Sequence, residues 1–225
     1  KRTEAIVSSG VPEDEWLEDP RVYRVKRTHL QLLHLILSQG LILDAGCGSG
    51  TYGIILAQEG GEVIGCDISH ESTVVAKERA NRKQVRFLPV VADLEKLPFK
   101  DNSFDICFCG WVLHHFPEVG SAVAELSRVL KPGGKIALAE PNESNIAVRF
   151  SRFVEDLPLL RGWVLRSGWD TPNRTIHQHN HYVQALKQQG FKDTKVSSCF
   201  SGGLPPLPVK SPKRGLSLLL LHICL

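Results

Sequence analysis

The 225-residue sequence contains no methionine, not even at its first position. Excess charge of one sign is also scarce: 27 Lys and Arg face 24 Asp and Glu, a net +3. With no basic stripe, that balance gives no reason to expect a nucleic-acid partner. The apolar stretch Leu216–Leu225 is too short to cross a bilayer, and no signal peptide is visible at the start. The six cysteines are scattered, and none has the spacing of a zinc site. Cys107-x-Cys109, the one close pair, falls in a predicted strand, so the thiols read as reduced core residues and the expected location is cytoplasmic. Internal repeats and a second domain are absent as well, and the whole of 1–225 reads as one domain.

What is present is an ordinary globular composition, 42% apolar and 23% charged, in a chain long enough for one sizeable α/β core. Its centre is Leu41-Ile42-Leu43-Asp44-Ala45-Gly46-Cys47-Gly48-Ser49-Gly50. An apolar run ends in an acid, three glycines follow at alternate positions, and Thr51–Ala57 reads as a helix. Strand, glycine turn and helix start together form a nucleotide-type loop, because glycine lets a ligand approach the backbone and tolerates positive φ, and a helix start offers N–H groups. A dinucleotide fold wants a small residue at the third position of G-x-G-x-x-G/A. Counted from Gly46 that position is Thr51. Asp44, two residues before the first glycine, would repel a pyrophosphate. An acid there suits a cofactor with a cationic amino group, and S-adenosylmethionine has an ammonium, a sulfonium and no phosphate.

The rest of the chain alternates strands and helices. Pro20–Ser38 has helical spacing. Glu62–Asp67 reads as a strand, Ser69 as the cap of a helix through Arg82, and Val85–Val91 as a third strand. Phe104–Gly110 is an almost unbroken apolar run suited to burial on both faces. Glu118–Lys131 is an amphipathic helix, turned by Pro132-Gly133-Gly134 into strand Lys135–Glu140. This alternation predicts a doubly wound parallel sheet. Residues 141–175, with Trp163 and Trp169, are too long for an ordinary connection and read as a cover for the site, together with helix 20–38. Asn180 is placed to cap a helix through Gln189, stopped by Gly190, and Phe191–Phe200 and Leu216–Leu225 read as the last strands.

Leu43–Gly50 resembles motif I of the class I S-adenosylmethionine-dependent methyltransferases. Leu97–Asp105 resembles the L-P-F-x-D-x-S-F-D stretch of their type 11, small-molecule branch, and Val112–Phe116 and Val129–Gly134 fit the same branch. The resemblance covers about residues 30 to 140. It implies a seven-stranded, mostly parallel Rossmann-like sheet ending in an antiparallel hairpin. It also implies S-adenosylmethionine as methyl donor, with S-adenosylhomocysteine as product. The cofactor-binding residues so expected are Asp44, Gly46, Cys47, Gly48, Asp67, Ile68, Asp93, Leu94 and Gly110. Asp67 ends the second strand, where an acid can accept ribose hydroxyls. By the resemblance, Asp93 reaches the adenine amino group and the Leu94 N–H a ring nitrogen.

Two residues are candidates for catalysis. His114 and His115 follow the fourth strand, at the edge where open α/β sheets bind ligands, and histidine titrates near neutrality. Either can serve as a base that deprotonates a methyl acceptor; the competing reading is a structural pair opening the next helix. His177-x-His179-x-His181 has alternate spacing, but a helix starting at Asn180 would split the three, and no metal site is expected. Enzymes of this superfamily that methylate base or glutamine amino groups carry N/D-P-P-Y/F after the fourth strand. Here Cys109-Gly110-Trp111-Val112 stands there. The expected function is therefore methyl transfer to a small organic acceptor at O, N or C. The alternative is a non-catalytic cofactor-binding partner or regulator.

Overall fold

A computed structural model describes residues 40–140 and 177–192, with the single residues 153, 157, 194 and 196. Its elements are β1 (Leu41–Ala45), α1 (Thr51–Gln58), β2 (Glu62–Asp67), α2 (His70–Arg82), β3 (Phe87–Val91), β4 (Phe104–Gly110), α3 (Gly120–Val129), β5 (Leu130–Ala139) and α4 (His179–Gln188), with one 3-10 turn at Leu113–His115. The five strands form one sheet in the order β3-β2-β1-β4-β5, and all of its pairings are parallel. The strand order reverses between β1 and β4. Ligands of open α/β sheets bind at such a switch point, beyond the carboxyl ends of the strands.

Alternation along the central strands supplies both faces with a core. Leu43, Ala45, Cys107 and Cys109 join Leu126, Tyr182 and Leu186, beneath α3 and α4. Ile42, Ile106 and Phe108 turn the other way and join Ile54, Leu56, Ala76 and Ala80 beneath α1 and α2. β3 carries Pro89, which the edge strand of this five-stranded sheet accommodates because one side has no ladder to supply.

Several boundaries differ from the sequence reading. The third strand begins at Phe87, not Val85, because the Val85 N–H is used by Ala80 O in closing α2 and Gln84 takes a positive φ of 55°. The helix expected over Glu118–Lys131 is shorter. It ends at Val129 because Leu130 has already turned extended and pairs with Phe104. The register between β4 and β5 then shifts, with Ile106 pairing Lys135, so Pro132-Gly133-Gly134 is an irregularity inside a strand. Gln178, not Asn180, holds the cap position of α4, and Asn180 lies in the first turn. The helix does end at Gly190, whose N–H meets Lys187 O while the Phe191 N–H meets Leu186 O, the paired bonds of a Schellman stop.

Helix 20–38 and the final strand Leu216–Leu225 lie outside the described residues, as does insert 141–175 apart from the exposed Phe153 and Leu157. Of the expected strand Phe191–Phe200, Phe191, Lys192 and Thr194 are not in a strand, and the remainder is outside the described residues except Val196. Among the described residues no helix is long and apolar enough to cross a membrane.

Candidate cofactor and acceptor site

The glycine loop turns sharply after β1. Gly46, Gly48 and Gly50 have φ of 71°, 51° and 83°, a region that disfavours any side chain. The N–H groups of Gly46 and Cys47 both meet Cys66 O, at 2.8 and 2.9 Å. Both N–H groups are therefore already bonded, and the Cys47 carbonyl in turn accepts the Gly50 N–H at 2.8 Å. The Gly48 N–H is also taken, by Asp67 Oδ2 at 2.8 Å, while Asp67 Oδ1 accepts from Ser69 at 2.8 Å. Asp67 thus fastens the end of β2 to the loop. Among the described residues a Cβ built on Gly48 would meet nothing within 4 Å.

Asp44 is 2% exposed, and its Oδ2 has no hydrogen-bond partner. Burial pushes its pKa from 3.8 up to about 7; the Asp67 carboxylate adds to the rise, and a hydrogen bond from the Gly53 backbone opposes it. An orphaned acidic oxygen in a buried wall is a place for a cation. An acidic pair beside a glycine loop is also hostile to phosphate. Both properties fit a ligand with an ammonium and hydroxyls, as S-adenosylmethionine has.

The other expected residues gather at the same edge. The Ala92 N–H meets Asp67 O at 2.9 Å, which brings the segment after β3 alongside. Asp93 is exposed, and its Oδ1 accepts from Glu95 N–H at 2.9 Å, while Leu94 is buried. Ile68 is 70% exposed, an apolar side chain held out next to Asp67. Gly110 ends β4, where a Cβ would lie 2.7 Å from the Phe108 ring. Cys47 is buried, with Sγ 3.6 Å from Gly48 O, and burial raises its thiol pKa above the ordinary range. The four cysteines among the described residues (47, 66, 107 and 109) are all free and buried.

His114 and His115 sit in the 3-10 turn and face different surroundings. His115 is exposed, whereas His114 is 5% exposed and its Nδ1 lies 2.8 Å from Glu140 Oε2. The turn abuts the glycine loop: a Cβ on Gly46 would fall 2.2 Å from Val112 Cγ2. Trp111 precedes it with φ 63°, an uncommon conformation for a bulky residue, and its N–H meets Ala139 O at 2.7 Å. His177 and His181 stack at 4.3 Å with His177 Nε2 2.8 Å from Phe116 O, and among the described residues no group of three or more His, Cys, Asp or Glu could hold a metal.

Three residues that shape this edge escaped the sequence reading. Glu140 is fully buried behind the 3-10 turn. Its signal was available, an acid ending an apolar strand, as at Asp44 and Asp67. Arg79 reaches from α2 to the loop, with Nη1 2.8 Å from Ser49 O and 3.0 Å from Ser49 Oγ. Phe87 fills the hollow over Gly50, Gly53 and Gly65, where added Cβ atoms would come within 2.9, 2.2 and 2.4 Å of its ring. Gly53 on α1 and Gly65 on β2 thus make room for the ring between them. Nothing in a lone arginine or phenylalanine announces such a role.

Comparison with known proteins agrees with this geometry. The family profile described as a methyltransferase domain, type 11, matches residues 43–138. The demethylmenaquinone methyltransferase of Staphylococcus haemolyticus is 30% identical over 201 residues, covering 81% of this chain and 80% of that protein. The enzyme of the same name from Staphylococcus aureus is 38% identical over 182 residues, covering 72% and 71%. Among solved structures, the YcgJ protein of Bacillus subtilis superposes with a TM-score of 0.56 at 26% identity, over 74% of this chain and 68% of that one. A Thermotoga maritima S-adenosylmethionine-dependent methyltransferase reaches a TM-score of 0.59 at 19% identity, over 80% and 77%, a likeness of fold. With the sheet order, the acid-flanked glycine loop and these relatives in agreement, the chain belongs to the class I S-adenosylmethionine-dependent methyltransferases, in the type 11 branch, and S-adenosylmethionine is its cofactor.

Proposed function

We propose that this enzyme methylates a small organic acceptor, and that the acceptor class to test first is a reduced quinone of the demethylmenaquinone type. The observation that carries the proposal is the contact of Val112 with Gly46, which sets the His114 turn against the cofactor loop. The names of the relatives supply the acceptor class. S-adenosylmethionine, when bound, supplies a methyl group on a sulfonium, a leaving group already activated. What remains for the chain's residues is binding, alignment, exclusion of water and removal of the acceptor's proton.

In this reading Asp44 faces the cofactor's ammonium, and Gly46, Cys47 and Gly48 floor the site. Asp67 accepts the ribose hydroxyls on lone pairs that its two backbone bonds leave open. Ile68 and Leu94 flank the adenine, Asp93 takes its amino group, and Gly110 keeps the methyl side open. His114 or His115 accepts the acceptor's proton. Residues 20–38 and 141–175 form the cover, on the support of their sequence alone, and complete one domain whose sheet ends in the antiparallel hairpin of the family. Buried free thiols accord with a reducing, cytoplasmic setting.

The test is incubation with S-adenosylmethionine and chemically reduced demethylmenaquinone, beside a panel of phenols and amines, with products identified by mass spectrometry. Methylated quinol supports the acceptor class and fixes the methylated atom. Turnover of another panel member alone would replace it.

A further inference from the structure

Among the described residues Glu140 is the one acidic residue at this edge with no exposure at all, and its side-chain hydrogen bonds to them go to the turn after β4. Its Oε1 accepts the N–H groups of Val112 at 3.0 Å and Leu113 at 2.7 Å. Its Oε2 accepts the N–H of His114 at 3.3 Å and lies 2.8 Å from the His114 ring at Nδ1. Such a set of donors is what a desolvated carboxylate needs. A carboxylate that already accepts three amides meets Nδ1 as a fourth acceptor bond, so Nδ1 carries the ring proton. The lone pair of the neutral imidazole is then on Nε2.

We propose that Glu140 is a positioning residue that fixes His114 in the Nδ1–H tautomer and so presents Nε2 as the proton acceptor in methyl transfer. The inference rests on the reading of His114, rather than His115, as the base. His115 is exposed, with its ring 4.0 Å from that of His114. In the step itself an O–H, N–H or acidic C–H bond of the acceptor breaks. Its proton goes to His114 Nε2, and its electron pair stays on the acceptor atom to form the new bond to the methyl carbon, while the methyl–sulfur bond would break with its electron pair leaving on sulfur as S-adenosylhomocysteine; the imidazolium later passes the proton to solvent. Glu140 balances the charge that the ring acquires, and touches no reacting atom. The same carboxylate holds the backbone of Val112, which packs on Gly46, so base and cofactor loop are placed by one buried group.

The tautomer can be read without turnover. Nitrogen-15 NMR of histidine-labelled protein with S-adenosylhomocysteine, with His114 assigned from its loss in His114→Gln, should show a neutral ring protonated at Nδ1. In Glu140→Gln the side-chain carbonyl can keep the Val112 and Leu113 bonds while the amide NH2 faces Nδ1, and the ring should switch to Nε2–H. A wild-type ring in the Nε2–H form overturns the proposal, as does a Glu140→Gln ring that stays Nδ1–H; the wild-type measurement decides even where the variant fails to fold. On the acceptor found in the panel, Glu140→Gln and His114→Gln should each lower kcat by about 100-fold or more, with the S-adenosylhomocysteine Kd within about threefold. Unchanged kcat in folded Glu140→Gln overturns the proposal too. Normal turnover in His114→Gln defeats the reading of His114 as base, and absence of turnover by the wild type defeats the acceptor class alone.

Discussion

Asp67 accepts the Gly48 N–H at 2.8 Å, and through that bond the end of β2 sets the shape of the loop after β1. The carboxylate is therefore part of the loop's architecture as well as a candidate ligand for ribose. Asp67→Ala removes both contributions. Charge-assisted hydrogen bonds are worth roughly 1.5–3 kcal/mol each, so the Kd for S-adenosylhomocysteine should rise by about tenfold or more. Calorimetry checks this, and an unchanged Kd would leave Asp67 a loop fastener alone.

Asp44 predicts a pH dependence with a definite sign. Below about 3.8 the carboxyl is neutral in folded and unfolded chains alike. Between that and its folded pKa of about 7 the folded chain keeps a proton that the unfolded chain has lost. Stability of the ligand-free protein therefore falls as pH rises through this window, by on the order of 4 kcal/mol at most. Asp44→Asn should raise the Tm of ligand-free protein at pH 8 and leave it nearly unchanged at pH 4. In the wild type a cation at Asp44 favours the ionised form, so cofactor binding should tighten from pH 6 to pH 8 with release of up to about one proton. Titration calorimetry in buffers of different ionisation enthalpy measures that proton.

Arg79 is 3% exposed and braces the loop through Ser49 and Thr51. Arg79→Met keeps much of the apolar stem and removes the guanidinium. Loss of the bonds to the Ser49 carbonyl and hydroxyl should cost about 1–3 kcal/mol in urea unfolding and weaken cofactor binding several-fold. Full affinity in the variant would show that the loop holds its shape without the brace.

The hollow filled by Phe87 predicts an unusual helix substitution. Alanine is ordinarily the better helix residue by about 1 kcal/mol, yet a Cβ at Gly53 lands 2.2 Å from the Phe87 ring. Gly53→Ala should destabilise the protein by about 1–3 kcal/mol through overpacking. Phe87→Leu should reduce that penalty, and the double-mutant cycle in urea unfolding measures the coupling.

The local elements were legible because their causes are local. A parallel strand buried on both faces is apolar for most of its length, as in Leu41–Leu43 and Ile106–Cys109, and glycine is favoured where the turn after β1 needs positive φ. Ser69 caps α2 through the Ser72 N–H, a bond that depends only on three intervening positions. Boundaries failed where a distant partner decided them. Leu130 leaves its helix to pair with Phe104, and Val85 is kept from the strand by the close of α2.

The sequence by itself determined the alternation of strands and helices, the glycine loop and the acids at two strand ends, and the family resemblance that those residues carry named the cofactor. Local patterning of apolar and glycine residues carries all of that. Only the tertiary structure decided what those acids face. The raised pKa of Asp44 exists because the fold removes it from water. His114 differs from His115 because Glu140, 26 residues on, is brought beneath it. The loop is braced by an arginine 30 residues away. Desolvation and hydrogen-bond geometry depend on distances across the folded chain, and neighbours in sequence do not set those distances.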